Sequence, residues 1–162
     1  MGMMDAKKCV FVLMMAKKTG RRRELNMQTY IGVKRIQAER CKRNGQEGYK
    51  VVYPDGYESW SPKEAFEKAY FEIERPDKLS QGDIDRFIHG TETSKADAKT
   101  VLMRAVLKNG FVDYETSSCV DPINFDMEIG EEICLEHIKN RMWKLLGFVL
   151  QWADHGLGED KI

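Results

Sequence analysis

The run TVLMRAVLKNGFVDYE, residues 100–115, decides the fold. Thr100–Leu107 reads as a strand because Asn109-Gly110 follows at once and Phe111–Glu115 resumes β character. Asn and Gly supply the two positive-φ residues of a type I′ turn, so the run is a β-hairpin. Downstream, Asp121-Pro122 places a capping side chain before a proline at the first helical position. Beyond it Ile129, Ile133 or Cys134, Ile138, Met142, Leu145, Val149 and Trp152 recur at spacings of three to five. That is one apolar stripe on a helix of about seven turns ending before Gly156. Gly130 and Gly147 interrupt it, each costing about 1 kcal/mol relative to Ala, so each marks close packing or a bend. The stripe is wider than one hairpin can cover, which calls for a second helix or a partner subunit against it.

Upstream, residues 28–39 (QTYIGVKRIQAE) read as a strand interrupted at Gly32. Residues 41–48 are a turn cluster, Tyr49–Tyr53 is a short strand, Pro54-Asp55-Gly56 a tight turn, and Tyr57–Trp60 the returning strand. Ser61 as N-cap, Pro62 at the first helical position and Glu64 at the third form a capping box. The helix that follows puts Ala65, Phe66 and Ala69 on one side. Ser80-Gln81-Gly82-Asp83 caps a short helix through His89, stopped by Gly90, and 91–98 is a polar loop.

These elements give an α+β chain. A small β-rich ββα module with one capped helix spans 27–73, a linker with a short helix 74–98, and a β-hairpin packed on a long C-terminal α-helix 99–155. A disordered tail follows at 156–162, and 1–26 is a basic N-terminal extension.

Composition narrows the function classes. With 162 residues, 42% hydrophobic and 32% charged, the chain is neither a disordered tail nor a membrane protein. Its 26 Lys+Arg balance 26 Asp+Glu. Seven of those cations and two of those acids fall within residues 1–24, leaving 19 basic and 24 acidic groups, a net of −5, in the remainder. Nucleic acid is therefore disfavoured as a partner without the basic arm. The apolar segment Cys9–Ala16 is eight residues long, against the roughly 20 that a bilayer span requires. The consecutive Arg21, Arg22 and Arg23 before Met27 suggest translation of a purine-rich ribosome-binding site, with Met27 as the biological start; a flexible basic arm and a targeting or anion-binding tail are the other readings. Cys9, Cys41, Cys119 and Cys134 show no CxxC pair and no zinc-like spacing with His89, His137 or His155, so no metal or other cofactor is expected. Cys119 and Cys134 read as core cysteines in a reducing, intracellular setting.

Residues 107–151 resemble the phage protein family named for gene 49 of phage N-four and gene 66 of phage Sf-six. The likeness is carried by Asn109-Gly110-Phe111, Ser118-Cys119-Val120-Asp121-Pro122, Asn124-Phe125-Asp126, Ile129-Gly130, and Trp143 with Leu145 and Gly147. Where the family often has Gly-Glu-Ser before the Cys, this chain has Thr116-Ser117-Ser118, with the carboxylate displaced to Glu115. Tyr30-Ile31-Gly32 and GYKVVYPDGYESWSPKEAFEKAY (48–70) are similar to a small module of tailed-phage accessory genes, including those of crAss-like phages. Such modules neighbour inhibitors that sequester cyclic nucleotide signals of bacterial immunity. The resemblance implies a phage or prophage origin and no established catalytic activity.

Two residue sets are candidate sites. Tyr49, Tyr53, Tyr57 and Trp60, with Lys50 and Lys63, could stack a base or nucleotide on a sheet face, pack as core, or meet a protein. Glu115, Ser117, Ser118, Cys119, Asp121, Asn124, Asp126 and Glu128 crowd the start of the long helix. There Asp121 caps the helix while Asn124 and Asp126 complete the turn; a divalent-cation site or a ligand rim are the other readings of the carboxylates. No catalytic constellation emerges, since Cys119 lacks a base and an electropositive setting. The sequence thus points to a non-enzymatic phage accessory protein in the cytoplasm of the bacterial host. It would act by binding, inhibiting or sequestering a host defence factor or a small nucleotide signal. A nucleic-acid-associated accessory protein and a structural homo-oligomer are the alternatives.

Overall fold

The computed structural model describes residues 28–158. The chain divides into two compact units, Met1–Ile31 and Gly32–Ile162. Of the first only residues 28–31 are described, and they carry no regular element. The basic extension, Met27, Cys9 and the last four residues of the expected tail lie outside the described residues.

The second unit opens with a three-stranded antiparallel sheet of β1 (Gln37–Arg43), β2 (Gln46–Val52) and β3 (Glu58–Pro62), in that order. Residues 28–36 form no strand, contrary to the sequence reading. The first strand runs later because Asn44 (φ 52°) and Gly45 (φ 80°) close a two-residue turn that pairs Arg43 with Gln46. This is a type I′ hairpin. Helix α1 (Lys63–Ala69) follows without the expected capping box: Pro62 is the N-cap and makes no side-chain bond. Ser61 is still paired with Tyr49 in the sheet, and its hydroxyl donates to the Pro62 carbonyl at 3.4 Å. In α1 Phe66 is buried while Ala65 and Ala69 are exposed. Phe66 stacks between Tyr49 (4.0 Å) and Tyr70 (4.9 Å), and with Val51 they build the small core under this sheet.

Next come α2 (Gln81–Phe87), β4 (Ile88–Lys95), β5 (Thr100–Leu107), β6 (Val112–Ser118), a 3₁₀ turn (Pro122–Asn124) and α3 (Met127–His155). The α2 cap is as expected, a reciprocal box of Ser80 and Asp83. The helix stops at Phe87, because Ile88 enters the sheet opposite Leu107. The expected loop at 91–98 is mostly the edge strand β4, whose polar sequence gives no apolar alternation to read. The hairpin is thus part of a three-stranded sheet, β4-β5-β6. Its turn differs from the expected type I′. Only Gly110 has positive φ, Gly110 N–H donates to Leu107 O, and Leu107 N–H donates to Phe111 O. That is a three-residue loop ending in a left-handed glycine. Asn109 Oδ1 accepts from the Phe111 amide at 3.0 Å, just as Asp55 accepts from Tyr57 in the β2–β3 turn.

Strand β5 alternates: Val101, Met103, Ala105 and Leu107 are buried under α3, and the residues between them are half-buried on the outer face. From α3 the buried row is Gly130, Cys134, Ile138, Met142 and Leu146. Four residues turn about 40° beyond a full revolution, so this row winds around the helix and follows the twisted sheet. The expected stripe is corrected accordingly. Cys134, Ile138 and Met142 are core, whereas Ile129, Ile133, Leu145 and Val149 are 57%, 37%, 49% and 40% exposed. The helix also starts later than Asp121-Pro122 implied. Asp121 caps the 3₁₀ turn through the Ile123 amide, and Asp126 caps α3 through the amides of Glu128 and Ile129.

Candidate functional site

Two features of the β4–β6 sheet and α3 stand out. The first is a shallow depression of about 110 Å³ where β6 ends and α3 begins. Ser118, Cys119, Asn124, Phe125, Asp126 and Gly130 line it together with Lys99, Ile129 and Ile133. Residues far apart in the motif string therefore meet in space. Cys119 is half-exposed and not a core residue; its thiol donates to Asp121 O at 3.1 Å, and its amide donates to Lys99 O at 3.0 Å. The Thr100 and Ser118 hydroxyls share a hydrogen bond of 2.8 Å, and Lys95 Nζ lies 4.0 Å above the Phe125 ring. Asp121, Asp126 and the 3₁₀ turn spend their acceptors on main-chain amides. The site is thus built of turn and cap bonds. Lys95 and Lys99 were invisible as neighbours in the sequence, because nothing there showed β4 beside β5.

The second feature is the flank of α3 that faces β6. Ile129, Ile133, His137, Arg141, Leu145 and Val149 succeed one another every four residues, so the row winds with the buried row and keeps beside it. At its centre Arg141 donates to Asp113 Oδ2 at 2.8 Å, to Glu115 Oε2, and to the Tyr114 carbonyl at 3.3 Å. His137 Nδ1 lies 3.7 Å from Glu115 Oε1. The Arg141 bond, above all, holds the Glu115 carboxyl below the ordinary range, while burial and then Glu115 raise the Cys134 thiol. The displaced carboxylate therefore serves as an anchor for Arg141. At either end of the row the members are apolar and exposed. Beyond Leu145 they are joined by Phe148 (67% exposed) and Trp152, whose rings meet edge to face at 6.2 Å.

The aromatic and basic set of the first sheet is brought together only in part. Tyr49 is buried on the α1 side, accepting from Arg40 and donating to Glu67. Trp60 and Lys50 are directly paired across β2 and β3 and lie on the opposite face, where the Trp60 ring covers Gly48. Tyr53 packs against the same core as Tyr49 and forms a tilted pair (5.7 Å) with Tyr57. Lys50 is paired with Glu58 at 2.8 Å and Lys63 with Glu47 at 4.0 Å. The three tyrosines thus adjoin one another, Trp60 and Lys50 lie on the opposite face, and Lys63 stands at the start of α1. Among the described residues no cluster of three or more His, Cys, Asp and Glu could hold a metal, and no helix is long and apolar enough to cross a membrane.

The model of the phage protein (N4 Gp49/phage Sf6 gene 66) family matches residues 65–153, more than half of the chain. The chain belongs to this family. Its match begins inside α1, takes in α2, the second sheet and nearly all of α3, and so contains both features just described. It leaves out the first sheet, and the likeness of that sheet to tailed-phage accessory modules gains no support from it. No curated protein and no solved structure matches the chain. The family residues have distinct physical tasks: Gly130 lets α3 approach Val101, Gly110 closes the hairpin, and Phe111, Trp143 and Leu145 stay partly exposed.

Proposed function

We propose that this phage protein is a non-enzymatic accessory protein that works by binding a host protein in the bacterial cytoplasm, and that the partner is a defence factor it inhibits. The observation that carries this reading is the apolar surface of α3 formed by Leu145, Phe148, Val149 and Trp152. Exposed apolar side chains grouped on one face are what protein partners recognise, whereas isolated ones carry no such meaning. The burial of Tyr49 in the core, with Trp60 and Lys50 on the opposite face of the sheet, weighs against a nucleotide as the ligand. Leu145→Asp with Val149→Asp alters this surface alone. Calorimetry with cyclic nucleotides and capture from host lysate, each with the native protein and the double variant, tests the proposal. A specific host protein retained by the native protein and lost by the variant supports it. Retention of none, or retention unaffected by the two substitutions, discards it.

A further inference from the structure

Strand β6 is an edge strand, and half of its main-chain groups face away from β5. The alternation is fixed by two bonds: Leu107 N–H to Phe111 O at one end, and Cys119 N–H to Lys99 O at the other. Residues 113, 115 and 117 therefore point both amide and carbonyl at β5, as Phe111 does its carbonyl and Cys119 its amide, and Val112, Tyr114, Thr116 and Ser118 point theirs outward. Such a row is a template on which another strand can add. The opposite edge, β4, is interrupted by a bulge between Ile88 and Gly90 and carries Lys95. The β5–β6 register runs without a bulge, and β6 contains neither proline nor lysine.

Three of the outward groups on β6 are nonetheless occupied, all by one cluster. The Tyr114 amide donates to Asp113 Oδ1 at 3.0 Å and the Thr116 amide to Glu115 Oε1 at 3.2 Å. The Tyr114 carbonyl accepts from Arg141, whose guanidinium at the same time holds both carboxylates in place. We propose that Asp113, Glu115 and Arg141 form a guard that closes the β6 edge and keeps a second copy of this chain from pairing β6 to β6. An arriving strand must break three hydrogen bonds, and in a two-fold arrangement it must also bring its own Asp113 and Glu115 against those already present. This inference is independent of the partner-binding reading.

Hydrogen exchange of the native protein reads the guard directly. Val112 and Ser118 are the control, because they face the same way and no side chain covers their amides. Tyr114 and Thr116 should exchange at least ten-fold more slowly than these two; equal rates would overturn the proposal. The second arm replaces the cluster as a whole with Asp113→Thr, Glu115→Thr and Arg141→Met. Light scattering should show the native protein unpaired through β6 and the triple variant as a dimer or larger. Adding Thr116→Pro, which removes an outward amide, should restore the native mass. A folded triple variant of unchanged mass, or association that Thr116→Pro leaves intact, would also overturn it. If the triple variant does not fold, the exchange rates of the native protein decide alone.

Discussion

Gly130 of α3 lies directly against Val101 of β5: a Cβ on Gly130 would stand 2.4 Å from Val101 Cγ2 and 3.0 Å from its Cβ. Both residues sit in the core between helix and sheet, and a valine on a strand has little rotamer freedom with which to yield. Gly130→Ala gains about 1 kcal/mol of helix propensity and forces an overpacked contact costing about 1–3 kcal/mol. The net effect should be a lowered midpoint in chemical denaturation. Gly147 occupies the same helix with nothing within 4 Å of the corresponding position. Gly147→Ala should therefore raise stability by about 1 kcal/mol. Opposite signs at the two glycines are the result to look for; equal signs would contradict the packing described.

Asp83 is buried, and it accepts from the amides of Glu74 and Ser80 and from the Ser80 hydroxyl while pairing with Arg86. It ties the segment before α2 to the helix itself. Asp83→Ala strands two amide donors and removes half of the capping box, so a loss of about 3 kcal/mol is expected. Urea denaturation of the variant beside Asp85→Ala, an exposed neighbour, separates this from a general loss of charge.

The same carboxylate sets an acid limit. Burial alone would push Asp83 up, but its bonds from Ser80 and Glu74 and the nearby Arg86 bring it below the usual range. Glu115 is lowered chiefly by Arg141. A carboxyl depressed in the folded state contributes stability that is present above its unfolded value, about 4, and is lost as pH falls through the lower folded value. Thermal midpoints should be flat from neutral pH to about 5 and fall below 4. Asp83→Asn should be less stable at neutral pH and show a shallower acid decline.

Gly48 tests the first sheet separately. A Cβ there would meet Ser61 O at 2.4 Å and the Trp60 ring at 2.6 Å. Gly48→Ala should displace Trp60 and shift its fluorescence, read with Trp143→Phe and Trp152→Phe as background. Unchanged Trp60 emission would show that the indole does not rest on Gly48.

Much of this architecture was legible in the residues. The β2–β3 hairpin, the Ser80 cap, the β5–β6 hairpin and the long helix each carry a local signal, in turn chemistry, capping or periodicity. Strand β4 does not: its sequence, IHGTETSK, is polar and becomes a strand only by pairing with β5. The stripe on α3 was found but its phase was misjudged. Ile129 and Leu145 are as apolar as Ile138, and only the sheet chooses which row to bury. At the candidate site the motif string led to the depression around Cys119. The Arg141 cluster, by contrast, joins residues 26 and 28 positions apart, and no spacing rule connects a strand to a helix across that distance.

The aromatic stack of Tyr49, Phe66 and Tyr70 bears on how such a gene is pieced together. The family match begins at Ala65, one residue before Phe66, yet Phe66 fills the core of the sheet that precedes it. A recombination joint at that point would give the incoming half an unsheltered ring and leave the outgoing half with a hole. A joint between Tyr70 and Phe71, whose ring packs on Phe87, would fall between the two cores, so exchanges among related phages should be found there, with α1 travelling alongside the strands it shelters.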